Sequence, residues 1–305
     1  MSLLGAWASS GSEDASESRI IGKHRIMREY DIERSPWYTN RDAGGTLRAG
    51  RKGKEMLRLL CVTAHPDDEA GLFGGTLLLY HERGVKTHVI CLTAGQAATH
   101  RGGHEGLDEL AAVRRQEFAA SCAHLQVDNC EVLNFRDAHL DQENLYEVVE
   151  ELVLRFRKIR PHVVLTFGPE GAVTAHTDHG MAGVFATLAF QWAGRTNRYP
   201  EQLNGALQPW RAQKLYYGTS EFILPERQPV ALPPASTFID IGDANLSRKI
   251  EAFKKHTTQS PLFELFDTHT RKRGHQERFA LAARATPSEI RREADLFEGV
   301  ADDYA

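Results

Sequence analysis

The sequence predicts a doubly wound α/β fold, and three observations carry this prediction. Apolar strand-like segments and helix-like segments alternate four times in succession between residues 56 and 167. Because parallel strands need crossover helices, this alternation indicates a mostly parallel sheet with helices on both faces. Polar clusters follow all four strands at one end, which is where open parallel sheets bind their ligands.

Each element can be placed in chain order. The predicted strands are residues 56–64 ("MLRLLCVTA"), 86–95 ("KTHVICLTAG"), 130–135 ("CEVLNF"), 162–167 ("HVVLTF"), 214–220 and 236–242. The predicted helices are residues 71–84, 104–125, 142–160 and 245–259, and Pro161 ends the third of them. Together these elements predict a Rossmann-like sheet.

The chain is expected to divide into an N-terminal extension, residues 1–55, and a single domain, residues 56–305. The first 18 residues include "SSGSEDASES", which is acidic and lacks apolar side chains, so we expect a flexible tail. Residues 194–213 are rich in turn-forming residues and are predicted to be a surface insertion within the domain.

Composition excludes several classes of function. With 37 Lys and Arg against 41 Asp and Glu, the net charge of −4 gives no basic surface for nucleic acid. No apolar run approaches the roughly 18 residues that span a bilayer, and no export signal is recognised. The four cysteines form no C-x-x-C pair, so free thiols in a cytoplasmic protein are expected. A homo-oligomer is compatible with the sequence, which does not decide the oligomeric state.

The first chemistry-bearing motif is "AHPDDE", directly after the first strand. On a helical turn His65 and Asp68 share a face, whereas Asp67 points about 100° away. His65 and Asp68 are therefore candidate metal ligands, and Asp67 is a candidate base beside the metal. The alternative is that the acids stabilise the N-terminus of the following helix. Such capping needs one acid and no histidine.

The second motif, "HTDH", follows the fourth strand and places His176 and His179 three residues apart. Together with His65 and Asp68, these histidines match the nitrogen and oxygen ligands that Zn²⁺ accepts. Four ligands would close a structural site, whereas three would leave a position for a catalytic water. The spacing leaves open whether both histidines bind.

These two motifs resemble those of the PIG-L/LmbE-like family of zinc-dependent N-acetylglucosaminyl deacetylases. The resemblance rests on "AHPDDE" and on "RPHVVLTFGPEGAVTAHTDHG" and covers residues 56–259. The family includes the deacetylases of mycothiol and bacillithiol synthesis. The resemblance implies a hydrolase that removes acetyl from a small N-acetylated amino sugar. "GLFGGT" lacks the glycine pattern of a phosphate-binding loop, so a nucleotide-binding module is disfavoured.

The resemblance implies roles for individual residues. Zinc would be held by His65, Asp68 and His179, although Fe²⁺ can fill the same ligands. Asp67 would be the general base, and His176 would polarise the substrate carbonyl or stabilise the oxyanion. Asp178 would orient His176.

Substrate contacts are implied for Arg114 and Asp137 with the sugar hydroxyls, but a solvated arginine and a turn-forming aspartate are equally open. Gln96 stands where family members usually carry Glu, in a loop that adds His100 and His104, so the sugar is undetermined. His256 and Gln259 resemble a late family motif or are structural residues at a helix end.

Two other functions remain open at this stage. An amidase could act on a larger N-acyl or thiol conjugate with the same residues. A catalytically silent metal-binding protein would hold zinc without releasing acetate from any acetylated amino sugar.

Overall fold

A seven-stranded sheet organises the protein in the computed structural model, which describes residues 56–221, 225–287, 289 and 291–301. The strand order is β3-β2-β1-β4-β5-β7-β6. The strands are β1 Arg58–Thr63, β2 Lys86–Thr93, β3 Asn129–Phe135, β4 Val163–Phe167, β5 Lys214–Gly218, β6 Thr237–Asp240 and β7 Gln276–Arg284. The predictions for residues 1–55 lie outside the described residues.

Seven helices cover the sheet in the described ranges. They are α1 Asp68–Gly71, α2 Gly74–Glu82, α3 Leu107–His124, α4 Leu145–Ile159, α5 Thr177–Trp192, α6 Gly242–Phe253 and α7 Phe263–Arg273. α4 packs against α5, while α2 and α3 both pack against α6, which gives one helical layer on each face of the sheet. The predicted doubly wound, mostly parallel α/β class is confirmed.

The central strands follow from their composition. β4 is buried at every position, and β1 is buried at all but its first residue. Such continuous apolar runs are typical of parallel strands that are covered on both faces. Strands β1 to β5 are all parallel, whereas β7 runs antiparallel between β5 and β6.

The predicted helix over residues 71–84 is divided into α1 and α2. The break places Phe73 in the core with no exposed surface, where its ring meets Phe167 at 5.7 Å and Phe279 at 6.3 Å between centroids. Burial of an aromatic side chain outweighs the continuity of one helix. α4 ends at Ile159, two residues before Pro161, as predicted.

The predicted insertion over residues 194–213 contains one short 3₁₀ turn and is tied to α4. The guanidinium of Arg157, which is 2% exposed, donates to the carbonyls of Ala193, Arg195, Arg198 and Tyr199. This single side chain satisfies much of the backbone of an irregular segment.

The cysteines agree with the expectation of free thiols. Cys61, Cys91 and Cys122 are buried and Cys130 is half-buried, all without disulfides. In the part of the chain that the structure describes, no helix is long and apolar enough to cross a membrane.

Candidate active site

The two motifs meet at the centre of the sheet. β1 and β4 are hydrogen-bonded neighbours, and the strand order reverses between them because β2 and β3 lie on one side and β5 on the other. The crevice at the carboxyl ends of such a pair is the usual ligand site of open α/β sheets. Here the loop after β1 supplies His65, Asp67 and Asp68, and the start of α5 supplies His176 and His179.

The loop after β1 is a turn closed by Asp68. One carboxylate oxygen of Asp68 accepts the backbone N–H of Ala64 at 3.1 Å and of His65 at 2.8 Å. Helix α1 begins only at Asp68, so the helical arrangement expected for His65 and Asp68 is wrong. The two side chains are brought together by the carboxylate folding back on the turn.

The start of α5 positions the two histidines differently. His176 is the N-cap, and its Nδ1 accepts the backbone N–H of Asp178 at 3.2 Å. The ring of His179 stacks on Phe167 with centroids 4.2 Å apart, and its Nδ1 meets the hydroxyl of Thr174 at 3.1 Å. The Nε2 of His179 therefore faces Asp68, whose Oδ1 lies 3.0 Å away.

Glycine permits α5 to approach the loop after β4. A Cβ at position 183 would lie 2.2 Å from the carbonyl oxygen of Phe167. We expect Gly183→Ala to lower the free energy of unfolding by about 1–3 kcal/mol, because two backbones would have to separate. Gly71→Ala is the control, since its Cβ would meet only Phe253 at 3.9 Å. Denaturant unfolding measures both, and equal stability of the two variants would contradict this account.

Three donor atoms converge on one point in the crevice. The Nδ1 of His65 lies 3.2 Å from the Nε2 of His179 and 3.7 Å from a carboxylate oxygen of Asp68. Ligands of a tetrahedral zinc at about 2.0–2.1 Å are about 3.3 Å apart. Two imidazole nitrogens and a carboxylate at this spacing fit a divalent metal. His176 also has a ring nitrogen within 4.8 Å of those of His65 and His179.

The second ring nitrogen of His65 contacts two carboxylates. This atom, Nε2, lies 3.1 Å from Asp137 and 3.3 Å from Asp178. Burial disfavours a charged ring, but the bonds from Asp137 and Asp178 outweigh it and raise the pKa of His65 to about 10. Carboxylates in this position usually orient a metal-binding histidine and increase its basicity. The surroundings of His65 therefore favour positive charge, which a bound cation supplies.

The carboxylate of Asp68 is also adapted to a cation. Burial by itself would raise its pKa, but the neighbouring His179 and His65 hold the pKa of Asp68 well below its usual range. The group is thus ionised, as a metal ligand must be.

Asp67 lies beside this cluster in a strained conformation. Its φ of 118° is in the left-handed region, which costs a residue other than glycine about 1–3 kcal/mol. Its side chain is 21% exposed, so solvent reaches part of it. Burial raises the pKa of Asp67 to about 6, with Arg114 opposing and Asp68 adding to the rise. A carboxylate with such a pKa is suited to accept a proton near neutral pH.

Arg114 holds Asp67 from behind. It is 2% exposed and donates to the Asp67 carboxylate at 2.9 Å, to the carbonyl of Gly95 at 2.8 Å and to the carbonyl of Pro66. The alternative of a solvated arginine is therefore wrong. Gly95 is required for this contact, because a Cβ there would lie 2.2 Å from the guanidinium.

The comparisons with known proteins agree with this geometry. Residues 60–190 match the family GlcNAc-PI de-N-acetylase, PIG-L. Diacetylchitobiose deacetylase of Thermococcus kodakarensis is 30% identical over 220 residues, which cover 71% of this chain and 76% of the relative. The chain belongs to the PIG-L family. The predicted family is thus confirmed.

Other members of the PIG-L family show the same relationship. A 1D-myo-inositol 2-acetamido-2-deoxy-alpha-D-glucopyranoside deacetylase of Rhodococcus erythropolis is 30% identical over 293 residues, covering 80% of this chain and 97% of the relative. The structure of N,N'-diacetylchitobiose deacetylase from Pyrococcus horikoshii has a TM-score of 0.60 and 26% identity, covering 73% and 83% of the two chains. The named relatives are deacetylases, hydrolases of N-acetyl amides, and the predicted enzyme class is confirmed.

One PIG-L site residue has a different partner from the expected one. Asp178 is predicted to orient His176, but its carboxylate contacts His65 and accepts the backbone N–H groups of Ala138 at 2.7 Å and Leu140 at 3.2 Å. It reaches His176 only through its own backbone N–H. The reason is that α5 begins at Thr177, which directs the side chain of Asp178 toward the loop after β3.

The loops that flank the PIG-L site hold the remaining predicted residues. The second oxygen of Asp137 accepts the backbone N–H of Ala97 at 2.6 Å. Gln96 is half-buried, and its side-chain oxygen has no hydrogen-bond partner in the structure. His104 contacts Glu109 at 2.8 Å, and the carbonyl of His100 accepts from Gln259 at 3.0 Å. Neither histidine belongs to a group of possible metal ligands among the described residues.

Thr174 is a site residue that the sequence motifs missed. Its hydroxyl contacts Nδ1 of His179 and fixes which ring nitrogen faces the crevice. A threonine two residues before "HTDH" is the only signal in the sequence, and it is too common to have been singled out.

Proposed function

We propose that this protein is a zinc-dependent deacetylase of an N-acetylated amino sugar or its conjugate. The observation that carries the proposal is the convergence of His65 Nδ1, His179 Nε2 and the Asp68 carboxylate. Asp67, the residue before Asp68, has its carboxylate held by Arg114. Membership of the PIG-L family supports the same chemistry.

His65, Asp68 and His179 would hold the metal in this proposal. When bound, Zn²⁺ or Fe²⁺ lowers the pKa of a water and polarises a carbonyl oxygen. Asp137 and Asp178 then keep the ring of His65 in place from its other nitrogen.

Asp67 would act as the general base. Its carboxylate is partly exposed and is held by Arg114, so in this proposal it accepts a proton from the attacking water without first reorienting. The nitrogen of the departing amine then takes up a proton, and the products are acetate and a free amine.

His176 would stabilise the oxyanion. Because its Nδ1 accepts the N–H of Asp178, the ring proton of the neutral imidazole lies on Nε2, which can donate to the carbonyl oxygen. Burial, followed by the charges of His65 and His179, lowers the pKa of His176 and keeps this ring neutral.

Substrate contacts are supported unequally. The side-chain oxygen of Gln96 is buried and has no hydrogen-bond partner among the described residues, and we assign it as an acceptor for a sugar hydroxyl. Arg114 and Asp137 are 2% and 7% exposed, so we assign them to the support of Asp67 and His65 rather than to the sugar.

Metal analysis combined with acetate release tests the proposal. The purified protein should contain about one zinc or iron per chain. It should release acetate from at least one of N-acetylglucosamine, N,N'-diacetylchitobiose and the inositol-linked N-acetylglucosaminide. Stoichiometric metal without acetate release from any of these sugars would favour a silent metal-binding protein or an amidase of larger conjugates.

A further inference from the structure

A carboxylate that the mechanism does not use lies behind Asp67. Glu69 has no exposed surface, yet three donors converge on it. One oxygen accepts the backbone N–H of Asp67 at 2.9 Å. The other accepts the hydroxyl of Ser121 at 2.5 Å and lies 2.8 Å from Nε2 of His256. A carboxylate oxygen accepts at this distance, so we assign the ring proton of His256 to Nε2.

The bond to Asp67 matters because that residue has left-handed backbone angles, φ 118° and ψ −24°. Such a conformation persists only where its surroundings determine it fully. Arg114 holds the side chain of Asp67. The carbonyl of Asp67 accepts the N–H of Gly71 at 2.7 Å, and the N–H of Asp67 donates to Glu69. Glu69 thus holds the N–H of the Pro66–Asp67 peptide, while Arg114 holds the Pro66 carbonyl of the same peptide, and the two contacts together fix its direction.

His256 fixes Glu69 in turn. It is fully buried in the short segment between α6 and a 3₁₀ turn, Thr257–Leu262. Glu117 of α3 anchors this segment by accepting the Thr258 N–H at 2.7 Å and the hydroxyls of Thr257 and Thr258 at 2.6 and 2.7 Å. The segment that carries the imidazole is therefore held in place by several buried hydrogen bonds.

One face of α3 completes the arrangement. Arg114, Glu117 and Ser121 follow one another at intervals of three and four residues, which places them on the same side of the helix. They contact Asp67, the His256 segment and Glu69 respectively. The orientation of Asp67 therefore depends on a segment almost 190 residues further along the chain.

We propose that Glu69 and His256 form a positioning pair that holds the backbone of Asp67 in the orientation in which its carboxylate accepts a proton. The proposal rests on the assignment of Asp67 as the base. It gives the late "HTTQ" segment a function in catalysis that is not contact with substrate.

Substitution of His256 tests this pair. His256→Leu removes the donor to Glu69 and is expected to lower kcat by about 10–100-fold, as is typical of outer partners in metal sites, with bound metal unchanged. The substrate is whichever acetylated sugar of the panel is hydrolysed fastest, and KM should change little. His256→Gln carries an N–H at a similar reach and should restore most of the activity. Ser121→Ala removes only the hydroxyl that donates to Glu69, so the protein should still fold, and kcat should again be lowered.

Hydrogen exchange of the Asp67 amide provides a readout that is independent of turnover. Exchange should be faster in His256→Leu than in the unsubstituted protein, and close to normal in His256→Gln. The control is His162→Leu, because His162 is also fully buried but lies before β4, at the amino ends of the strands. It should lower stability without changing kcat per folded molecule, and it should speed exchange of the Asp67 amide no more than that of other buried amides.

Two results would overturn the pair. Normal kcat and normal Asp67 exchange in His256→Leu would show that His256 positions nothing, even while the unsubstituted protein releases acetate. Failure of Gln to restore either readout would assign the loss to packing alone. If the unsubstituted protein releases no acetate, the proposed function fails, and the exchange measurement still decides whether the pair holds Asp67.

Discussion

Replacement of Asp67 by Asn is expected to lower kcat by about 10²–10⁴-fold, the usual contribution of a general base. The amide keeps the size of the carboxylate and an oxygen that can accept from Arg114, so the turn should be preserved. It cannot accept a proton from water. Acetate release under saturating substrate, measured together with bound metal, separates loss of the base from loss of the site.

Asp141→Asn is the matched control for Asp67→Asn, because Asp141 is an exposed aspartate in the short turn after β3. It should retain full activity. Full activity in Asp67→Asn, with metal bound, would show that another group takes the proton.

Replacement of Asp68 by Asn is expected to remove most of the bound metal. The remaining side-chain oxygen still accepts from Ala64 and His65, so the turn after β1 should persist, but the negative charge between His65 and His179 is lost. Activity should fall by more than about 10–100-fold, which is the usual effect of removing a residue that supports a metal ligand without binding the metal. Metal content by elemental analysis and kcat/KM at fixed zinc concentration measure both effects.

Asp137→Asn provides the comparison for Asp68→Asn, since Asp137 contacts His65 from the side away from the cluster. Its effect should lie within the range of an outer partner, and excess zinc should partly restore it. A chelator should inactivate the unsubstituted protein reversibly. Stoichiometric metal in Asp68→Asn, or chelator-resistant activity, would contradict the assignment of Asp68 as a ligand.

The sheet centre was predictable because its signals are local. The apolar runs of β1 and β4 and the helix break before Pro161 depend on neighbouring residues, and the rule for parallel sheets then places the polar clusters together. Helix α5, strand β7 and helix α7 were not predicted. β7 pairs with both β5 and β6, and this pairing depends on contacts between segments distant in the chain.

The sequence predicts which residues form the candidate site better than it predicts which of them contact each other. Spacing singles out His65 and Asp68 with both histidines of "HTDH", and the family resemblance selects His179 as the third ligand. Neither can show that Asp178 supports His65 instead of His176. Nor can either show that Arg114 is buried against Asp67, because an arginine on a helix is usually solvated. The hydrogen-bond partner of each side chain depends on which loops the sheet brings together.

The way in which the loop after β2 is attached has a consequence for how this enzyme could diversify. The loop is joined to the site through backbone groups: the N–H of Ala97 reaches Asp137, and the carbonyl of His100 reaches Gln259. Side chains between these two anchors can therefore change by mutation without disturbing the candidate metal ligands. New substrates could be acquired in this loop while the reaction itself is inherited unchanged.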